Sequence, residues 1–408
     1  MADLRITGLA EEMSSLAQMP WSKQLEEWPE DSSLTDMRGI SRHIVRLIKV
    51  NESHDSPIFA IKETVPEFAN REYALLRELN NREAPCVEPV AVIENRKDEQ
   101  GEDLPAALVT HYLPFSLPYR VILSGQITPH EITNMANALA LLLVRLHLLG
   151  FWWGDCSLSN TLFRRDANDF AAYLVDAETG EFQKTLSDGQ REHDLELAQF
   201  NVAAELEDLA LAGVLSKEIN PVRAADGVIR RYRRLWKMLK EPQILDASDR
   251  QAVERAMRSL QDLGFAVEEV EVTTAGDKGS IKFQPKLVAA RYHANRLAEL
   301  MGLQAEELQA KRLLASYDRY KAREFAPATP HAVVVKQWLA DVFKRVVNQV
   351  PEELKGRVEP AQLFHEVLEN RWYLGEKLGR DVGLDFATAD YIEKVLPYRM
   401  DSGVVIKK

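Results

Sequence analysis

Two polar residues five positions apart, Asp155 and Asn160, follow the most apolar stretch of the chain, Ala138–Trp153. The spacing of apolar residues in this stretch predicts a helix that ends at Gly150, with a tight loop after it. A carboxylate on such a loop can accept the proton of a substrate hydroxyl, and an asparagine one loop-width away can bind Mg²⁺. The pair therefore indicates group transfer to a hydroxyl.

A second acidic residue, Asp176, ends a short strand that comes after this loop. The run Thr161–Phe163, a turn and the apolar run Ala172–Val175 lie in between. Apolar residues before Asp176 favour a buried strand that delivers its carboxylate to a cleft. We expect Asp176 to bind a metal ion, whereas Glu178 is left open between a second metal ligand and a surface carboxylate.

A lysine on a predicted strand is a further candidate for the same chemistry as Asp155, Asn160 and Asp176. Phe59-Ala60-Ile61-Lys62 matches the Val-Ala-Ile-Lys strand of protein kinases, in which the lysine pairs with nucleotide phosphates. The tetrapeptide alone leaves an ordinary strand-end lysine equally open. Glu72 lies ten residues later in a helix predicted over 67–79, where it can form an ion pair with Lys62. Glu67 and Glu78 compete for this role, and Glu72 is favoured because it lies mid-helix.

Two further segments are candidates for nucleotide contacts. Gly39, Arg42 and His43 lie between the first two predicted strands, where a loop would cover phosphates, although an ordinary turn is equally open. His111 and Leu113 follow the predicted sheet, at the place of a hinge whose backbone groups would hydrogen-bond an adenine edge.

The elements that must position these residues change character along the chain. Four branched or apolar runs and one helix predict a small sheet of about five strands; the runs are 44–48, 58–62, 87–93 and 106–110. Helices dominate after a capping box at Thr128–Glu131. A β-hairpin is predicted within 265–285, followed by further helices with a break at 325–331.

Composition limits the functional classes. The chain has 408 residues, of which 46% are hydrophobic and 28% charged, as in a globular protein of two or three domains. Cys86 and Cys156 lack metal-ligand spacing, which argues against a disulfide framework or a cysteine zinc site. Because Arg145 and His147 interrupt the most apolar stretch and no secretory signal is evident, we expect a cytoplasmic protein without a membrane span.

The charge is unevenly distributed. The first 216 residues carry 18 Lys and Arg against 35 Asp and Glu, whereas the remainder carries 33 against 28. The acidic half argues against a nucleic-acid surface. The basic run Arg230–Arg234 is most simply a solvated helix face, but it leaves open an adaptor for nucleic acid or an anionic surface.

The segment from about Gly39 to Leu215 resembles the protein-kinase-like fold, and specifically the bacterial lipopolysaccharide-core sugar kinase group. Its most specific part is the pattern Leu-His-x-x-Gly-x-x-x-Gly-Asp, then Asn and Leu-Phe, over 146–163. The whole chain resembles an uncharacterised bacterial family that joins such a domain to a C-terminal domain of unknown function. The features of this kind are Met19–Trp21, Arg38–His43, Arg291–Asn295 and Arg371-Trp372.

The resemblance implies an α+β architecture: a bilobal kinase-like fold with a five-stranded sheet, one helix and a helical C-lobe, then a mostly helical C-terminal domain with one β-hairpin. The expected divisions are an N-terminal extension that is irregular and polar, a kinase-like N-lobe, a kinase-like C-lobe and the C-terminal domain. Their predicted bounds are 1–37, 38–114, 115–220 and 221–408. Packing of Trp21 and Trp28 onto a domain surface is expected within the extension.

The resemblance also implies ATP with Mg²⁺ or Mn²⁺ as cofactors. By this resemblance Lys62 would hold phosphates, Glu72 would anchor Lys62, Asp155 would be the catalytic base, and Asn160 and Asp176 would bind the metal. The sequence departs from the pattern at Trp153, which replaces the usual His, and at Ala177-Glu178, which follows Asp176 in place of Phe-Gly. The Ala-Pro-Glu motif of peptide-docking kinases is not seen.

The resulting hypothesis is an ATP-dependent phosphotransferase that acts on a hydroxyl of a small molecule or glycan. The alternatives are a pseudokinase scaffold whose C-terminal domain binds a partner, the adaptor described above, and nucleotidyl transfer to protein. Intact Lys62, Asp155, Asn160 and Asp176 argue against the pseudokinase. A homodimer or a protein partner through the C-terminal domain stays open.

Overall fold

The computed structural model describes residues 4–28, 45–49, 56–124, 128–241, 243–246, 249, 251–252, 254, 270–274, 280–285 and 291–399. The elements of its first part, in chain order, are β1 Arg5–Gly8, α1 Met13–Ala17, β2 Val45–Lys49, β3 Ile58–Thr64, α2 Pro66–Asn81, β4 Pro89–Glu94, β5 Ala106–His111, β6 Ser116–Pro118, α3 Tyr119–Leu123, α4 Pro129–Leu148, β7 Phe151–Trp152, β8 Thr161–Asp166, β9 Asp169–Leu174, β10 Glu181–Phe182, α5 Asp188–Leu211 and α6 Pro221–Lys240.

The second part begins with three strands and continues with helices. Its elements are β11 Gln243–Asp246, β12 Val270–Thr274, β13 Ser280–Pro285, α7 Tyr292–Met301, α8 Glu307–Glu324, α9 His331–Trp338, a π-helical turn over Leu339–Phe343, α10 Lys344–Val347, α11 Pro360–Leu378 and α12 Leu384–Lys394. None of the helices in the described ranges has both the length and the apolar composition that crossing a membrane requires.

An antiparallel five-stranded sheet with the order β1-β4-β5-β3-β2 carries Lys62. Lys62 lies in β3 and is paired with Val45 on one side and Leu108 on the other. Side chains alternate between the two faces of a strand. Phe59 and Ile61 are fully buried with the N-terminal residues, so Lys62 points to the opposite face.

Residues 4–28, the described part of the N-terminal extension, are not irregular, and the prediction was wrong for them. β1 pairs with β4 as an edge strand, with Arg5 opposite Glu94. Leu16 and Leu25 are fully buried against the outer face of the sheet. The four-residue strand is too short for an alternating pattern to show, which is why the sequence did not indicate it.

A buried arginine fastens these N-terminal residues to the sheet. The guanidinium of Arg96 forms an ion pair of 2.7 Å with Glu63 and donates to the carbonyls of Trp21 and Lys23. Trp21 and Trp28 are nearly completely buried, with ring centroids 5.1 Å apart. The expected packing of the two tryptophans is therefore confirmed.

Helices α4, α5 and α6 form the core of the second lobe. α4 begins with the predicted capping box, in which Thr128 and Glu131 bond reciprocally. Tyr232 and Leu235 of α6 are buried in the same hydrophobic cluster as Leu142 of α4 and Leu195 of α5. Because α6 packs with this lobe, we propose a domain boundary after residue 240 in place of the one expected at 220.

The C-terminal part has its own hydrophobic core. Leu297, Leu313, Trp338 and Val367 are among its most buried residues. The predicted hairpin is present as β12–β13, and β11 joins it in a three-stranded sheet of order β11-β13-β12. The α+β class, the five-stranded sheet with its helix and the mostly helical C-terminal part are thus confirmed.

Candidate active site

Three carboxylates surround the ammonium group of Lys62. Its Nζ atom lies 3.0 Å from Glu72 Oε2, 2.8 Å from Asp176 Oδ2 and 3.2 Å from Glu178 Oε2. β3 supplies the lysine, α2 supplies Glu72, and the segment after β9 supplies the other two. The ion pair that the sequence predicted between Lys62 and Glu72 is therefore present, and Asp176 lies beside it.

The charges of this cluster are shielded to different degrees. The Glu72 side chain is fully buried, whereas Asp176 and Glu178 keep about a fifth of their side-chain surface exposed. Burial, together with the negative charge of Asp176, raises the pKa of Glu72 to about 8. Burial lowers the pKa of Lys62, but the three carboxylates outweigh it and hold this pKa above its ordinary value. Lys62 is therefore an ammonium ion at neutral pH.

The donor set suits a hard divalent cation. One oxygen each from Glu72, Asp176 and Glu178 lie within 4.8 Å of one another. Oxygen ligands are those that Mg²⁺ and Mn²⁺ prefer. Of these three carboxylates, Asp176 and Glu178 are partly exposed, so these two are accessible to a cation that arrives from solvent.

Two side-chain amides hold the carboxylate of Asp155. Asn160 Nδ2 donates to Oδ2 at 3.0 Å, and Asn201 Nδ2 donates to Oδ1 at 3.1 Å. Asn201 also donates to the carbonyl of Cys156. Each oxygen of Asp155 thus has a fixed donor, and the side chain is only partly buried. This geometry fixes the orientation of a carboxylate that keeps part of its surface exposed.

A buried acidic residue, Asp194, supports the loop that carries Asp155. Its side chain accepts the backbone N–H groups of Trp153 at 2.8 Å and Gly154 at 2.9 Å, and it bonds to His147 Nε2 at 2.9 Å. The other ring nitrogen of His147 bonds to the Tyr232 hydroxyl. His147 therefore has a structural place beneath the loop, since both of its ring nitrogens bond to buried side chains.

Trp153, the departure from the kinase pattern, joins the loop to the segment of Asp176. Its indole Nε1 donates to the carbonyl of Asp176 at 2.8 Å, and its own carbonyl accepts the Thr179 hydroxyl at 2.8 Å. A second link runs through the backbone, since Val175 N–H donates to the carbonyl of Asn160 at 3.1 Å. The two halves of the site are therefore connected on both sides of Asp176.

The predicted hinge residues lie where β5 ends. The N–H of His111 donates to Glu88 and that of Tyr112 donates to Ile58, so the sheet engages both amides. The carbonyl of Leu113 accepts the Ser116 hydroxyl at 2.7 Å. The roles of His111 and Leu113 in binding a base stay predictions.

Three of the predicted nucleotide contacts, Gly39, Arg42 and His43, lie outside the described residues. Cys156, next to Asp155, is fully buried, and burial raises the pKa of its thiol well above the usual value. Its thiol is therefore protonated at neutral pH, which makes it a poor nucleophile.

Sequence reasoning missed three residues of α5 that shape the loop. They are Asp194, Asn201 and Glu205; Glu205 accepts the backbone N–H groups of Leu158 and Ser159. Positions seven and eleven apart lie on one face of a helix. The signal was therefore a polar stripe on a helix whose other buried positions are apolar.

Comparison with known proteins agrees with this geometry. Residues 61–212 match the family model described as Lipopolysaccharide kinase (Kdo/WaaP) family. Residues 234–396 match the model described as Domain of unknown function (DUF4032). No curated protein matches the chain.

One similar solved structure is described as "WaaP in complex with acyl carrier protein". The two chains are 16% identical, and the match covers 64% of this chain and 99% of the other, with a TM-score of 0.36.

The matched segment 61–212 contains Lys62, Asp155, Asn160 and Asp176, and it is a kinase-like domain. In particular, this segment is similar to the lipopolysaccharide kinase (Kdo/WaaP) family, and the segment 234–396 is similar to the DUF4032 family. The family resemblance drawn from the sequence is thereby confirmed.

Proposed function

We propose that this chain is an ATP-dependent phosphotransferase that transfers the γ-phosphate to a hydroxyl of a small molecule or glycan. The observation that carries the proposal is the convergence of Lys62, Glu72 and Asp176 from three separate elements, with contacts of 3.0 and 2.8 Å. A fixed ammonium ion beside acidic metal ligands is the arrangement that positions the phosphates of a nucleotide.

Lys62 would bind the phosphates, and Glu72 would fix its position. Because Glu72 is fully buried in α2, it holds the ammonium group at the face of β3 that lies towards Asp176. Asp176 and Asn160 would bind the divalent cation, with Glu178 as a further oxygen ligand. A cation bound there would neutralise charge on the phosphates of the nucleotide.

Asp155 would orient the acceptor hydroxyl and accept its proton. The two amide donors, Asn160 and Asn201, keep its carboxylate in one orientation, which is the condition for efficient proton transfer. Asp194 would contribute indirectly, because it fixes the backbone of Trp153 and Gly154, the two residues that precede Asp155.

The short segment after Asp176 supports a small acceptor. Residues 177–187 connect Asp176 to α5, and β10 within this segment is held by pairing with β7. Ser187 then caps α5 through a capping box. Because the segment 177–187 is short and held at both β10 and Ser187, it offers little surface for docking a peptide. The name of the matched family, a lipopolysaccharide kinase, supports a sugar hydroxyl.

The test is transfer of labelled phosphate from γ-labelled ATP to candidate acceptors in the presence of Mg²⁺ or Mn²⁺. Sugars of the lipopolysaccharide core, other glycans and a protein mixture would be compared for wild type and Asp155→Asn. The proposal predicts that wild type labels a sugar or small molecule. Asp155→Asn should lower the rate by on the order of 10²–10⁴-fold, the contribution of a general base.

A matched control is Asp188→Asn, which replaces an exposed aspartate in the first turn of α5 and should leave the rate unchanged. Labelling of protein alone would overturn the proposed acceptor class. Nucleotide binding without transfer to any acceptor, with Asp155→Asn and wild type equivalent in cells, would favour the pseudokinase.

A further inference from the structure

The β8–β9 hairpin connects the two predicted metal ligands directly. β8 begins at Thr161, one residue after Asn160, and β9 ends at Leu174, two residues before Asp176. In the register of the hairpin Thr161 pairs with Leu174 at the open end, and Asp166 pairs with Asp169 at the tip. The spacing between the metal ligands thus depends on how this hairpin is held.

The C-terminal domain holds the hairpin at its tip. Both carboxylate oxygens of Asp166 accept backbone N–H groups at the start of α8, from Leu308 at 3.0 Å and Gln309 at 2.8 Å. The first N–H groups of a helix have no partner within the helix. Asp166 therefore caps α8 from a different domain.

Gln362 of α11 bonds to the backbone of the tip in both directions. Its oxygen accepts the N–H of Ala167 at 2.9 Å, and its nitrogen donates to the carbonyl of Ala167 at 3.0 Å. Its oxygen also accepts Gln309 Nε2, and its nitrogen also donates to Glu366. Every hydrogen-bonding position of this nearly completely buried amide is used.

An ion cluster holds the middle of the hairpin. The guanidinium of Arg164 lies 2.6 Å from Glu306 and 2.7 Å from Glu359, and the Tyr173 hydroxyl donates to Glu306 at 2.7 Å. The three charged side chains keep only 7 to 12% of their surface exposed. We call these contacts the hairpin clasp; its members are Arg164, Asp166, Ala167, Tyr173, Glu306, Gln309, Glu359 and Gln362.

The open end of the hairpin is bonded to the other lobe. Leu174 N–H donates to the carbonyl of Pro85, and Val87 N–H donates to the carbonyl of Leu174. The hairpin therefore runs from the C-terminal domain, past Asn160 and Asp176, to the segment that follows α2. Paired strands of six residues form a rigid connection about 20 Å long.

We propose that the DUF4032 domain positions the metal ligands of the kinase-like domain through the hairpin clasp. Gln362, Asp166 and Arg164 are positioning residues: they act on Asn160 and Asp176 through the hairpin and touch no substrate. The proposal rests on the proposed function for the identity of the metal ligands. It gives the C-terminal domain a defined task, which is control of divalent-cation affinity from the opposite end of the hairpin.

The test compares the full-length wild type with Gln362→Leu, which leaves the N–H and carbonyl of Ala167 without their partner. Mn²⁺ affinity is measured by electron paramagnetic resonance, and backbone hydrogen exchange is followed in peptides that span 161–176. We expect Gln362→Leu to weaken Mn²⁺ binding by up to about 10-fold, because loss of a group that directly orients a metal ligand costs about 10-fold or more and Gln362 acts through the hairpin. Exchange of the Val175 amide should become faster.

Val346→Ala is the matched control, because it opens a cavity in the same C-terminal core and Val346 is not a member of the clasp. It should lower the melting temperature and leave both Mn²⁺ affinity and Val175 exchange unchanged. If Gln362→Leu fails to fold, Glu306→Gln replaces it, with the same direction expected for both readouts. Wild-type Mn²⁺ affinity in a folded clasp variant would overturn the proposal.

Failure of the proposed function gives a different result. If wild type binds neither Mn²⁺ nor nucleotide, the proposed function fails, and hydrogen exchange decides on the clasp. Faster Val175 exchange in the clasp variant, but not in Val346→Ala, would then support positioning through the hairpin. Unchanged Val175 exchange would overturn it.

Discussion

Lys62 and Arg164 are each surrounded by several carboxylates, but the two clusters differ in burial and geometry. Lys62 contacts three acidic side chains, two of which come from the loop after β9 and remain partly exposed. Arg164 contacts two glutamates that are almost completely buried between domains. Both clusters have more acidic than basic groups, but the first reaches solvent, whereas the second is closed.

The type of basic residue in each cluster fits this difference in burial. Arginine presents a planar fork of donors that suits a fixed, buried arrangement, whereas lysine is a compact charge that can exchange partners. Burial lowers the pKa of Arg164, but Glu306 and Glu359 outweigh it and raise this pKa above its ordinary value. Lys62 and Arg164 therefore both stay charged. The candidate site differs from the interdomain contact in the exposure of its carboxylates, and not in the charge of its cation.

The largest expected effect on stability comes from Arg164→Met. The change leaves Glu306 and Glu359 buried without a cation, which costs about 3–5 kcal/mol of unfolding free energy. Urea unfolding of the full chain measures it. Arg345→Met is the control, because its pair with Asp385 is more than half exposed and screened by solvent, so its loss should change the unfolding free energy far less. Equal losses for the two variants would contradict the comparison.

The second prediction concerns Lys62→Met, which should affect binding more than folding. Asp176 and Glu178 reach solvent, and the pKa of Glu72, already raised to about 8 beside Lys62, rises further when the lysine is lost, so Glu72 is neutral in the variant. Unfolding free energy without ligand should fall less than in Arg164→Met. Stabilisation by Mg-ATP, about 2.7 kcal/mol at a concentration 100 times the Kd, should disappear. Retained stabilisation would remove Lys62 from the site.

Asp194→Asn extends the comparison to a buried carboxylate that is held mainly by N–H donors. The substituted amide places an N–H group against the donors of Trp153, Gly154 or His147, which costs about 1–3 kcal/mol. Phosphotransfer should fall further than the loss of folded protein explains, because the loop of Asp155 shifts. Activity that simply follows the folded fraction would limit Asp194 to a structural role.

The smallest expected effect on metal binding is that of Trp153→Phe. It removes the indole donor to the carbonyl of Asp176 and part of a fully buried ring, and should weaken metal binding slightly. Trp152→Phe is the control, since Trp152 makes a ring contact with His193 at 6.0 Å and no described side-chain hydrogen bond. Calorimetric titration with Mn²⁺ compares the two. An equal effect of both variants would show that the indole N–H is unimportant.

The sequence indicated the features that local spacing determines. The ion pair of Lys62 with Glu72 was predictable, because a helix directly after a strand leaves few carboxylates within reach. The capping box of α4 and the break between α8 and α9 were predictable because capping residues and proline act within a few positions.

The missed features depend on contacts between residues far apart in the chain. Asp166 and the amides of α8 are more than 140 residues apart, and Gln362 lies 195 residues from Ala167. A buried Asp or Gln carries no local sign of its partner, because its burial is compensated only in the folded chain. For the same reason the buried Arg96 was not indicated.

The most direct test of the central claim is thermal unfolding of wild type and Asp176→Asn, each with and without Mg-ATP. A ligand that binds only the folded state raises the melting temperature. The account predicts that Mg-ATP raises the melting temperature of wild type and leaves that of Asp176→Asn unchanged. No shift in wild type at millimolar Mg-ATP or Mn-ATP, or equal shifts in both proteins, would contradict it.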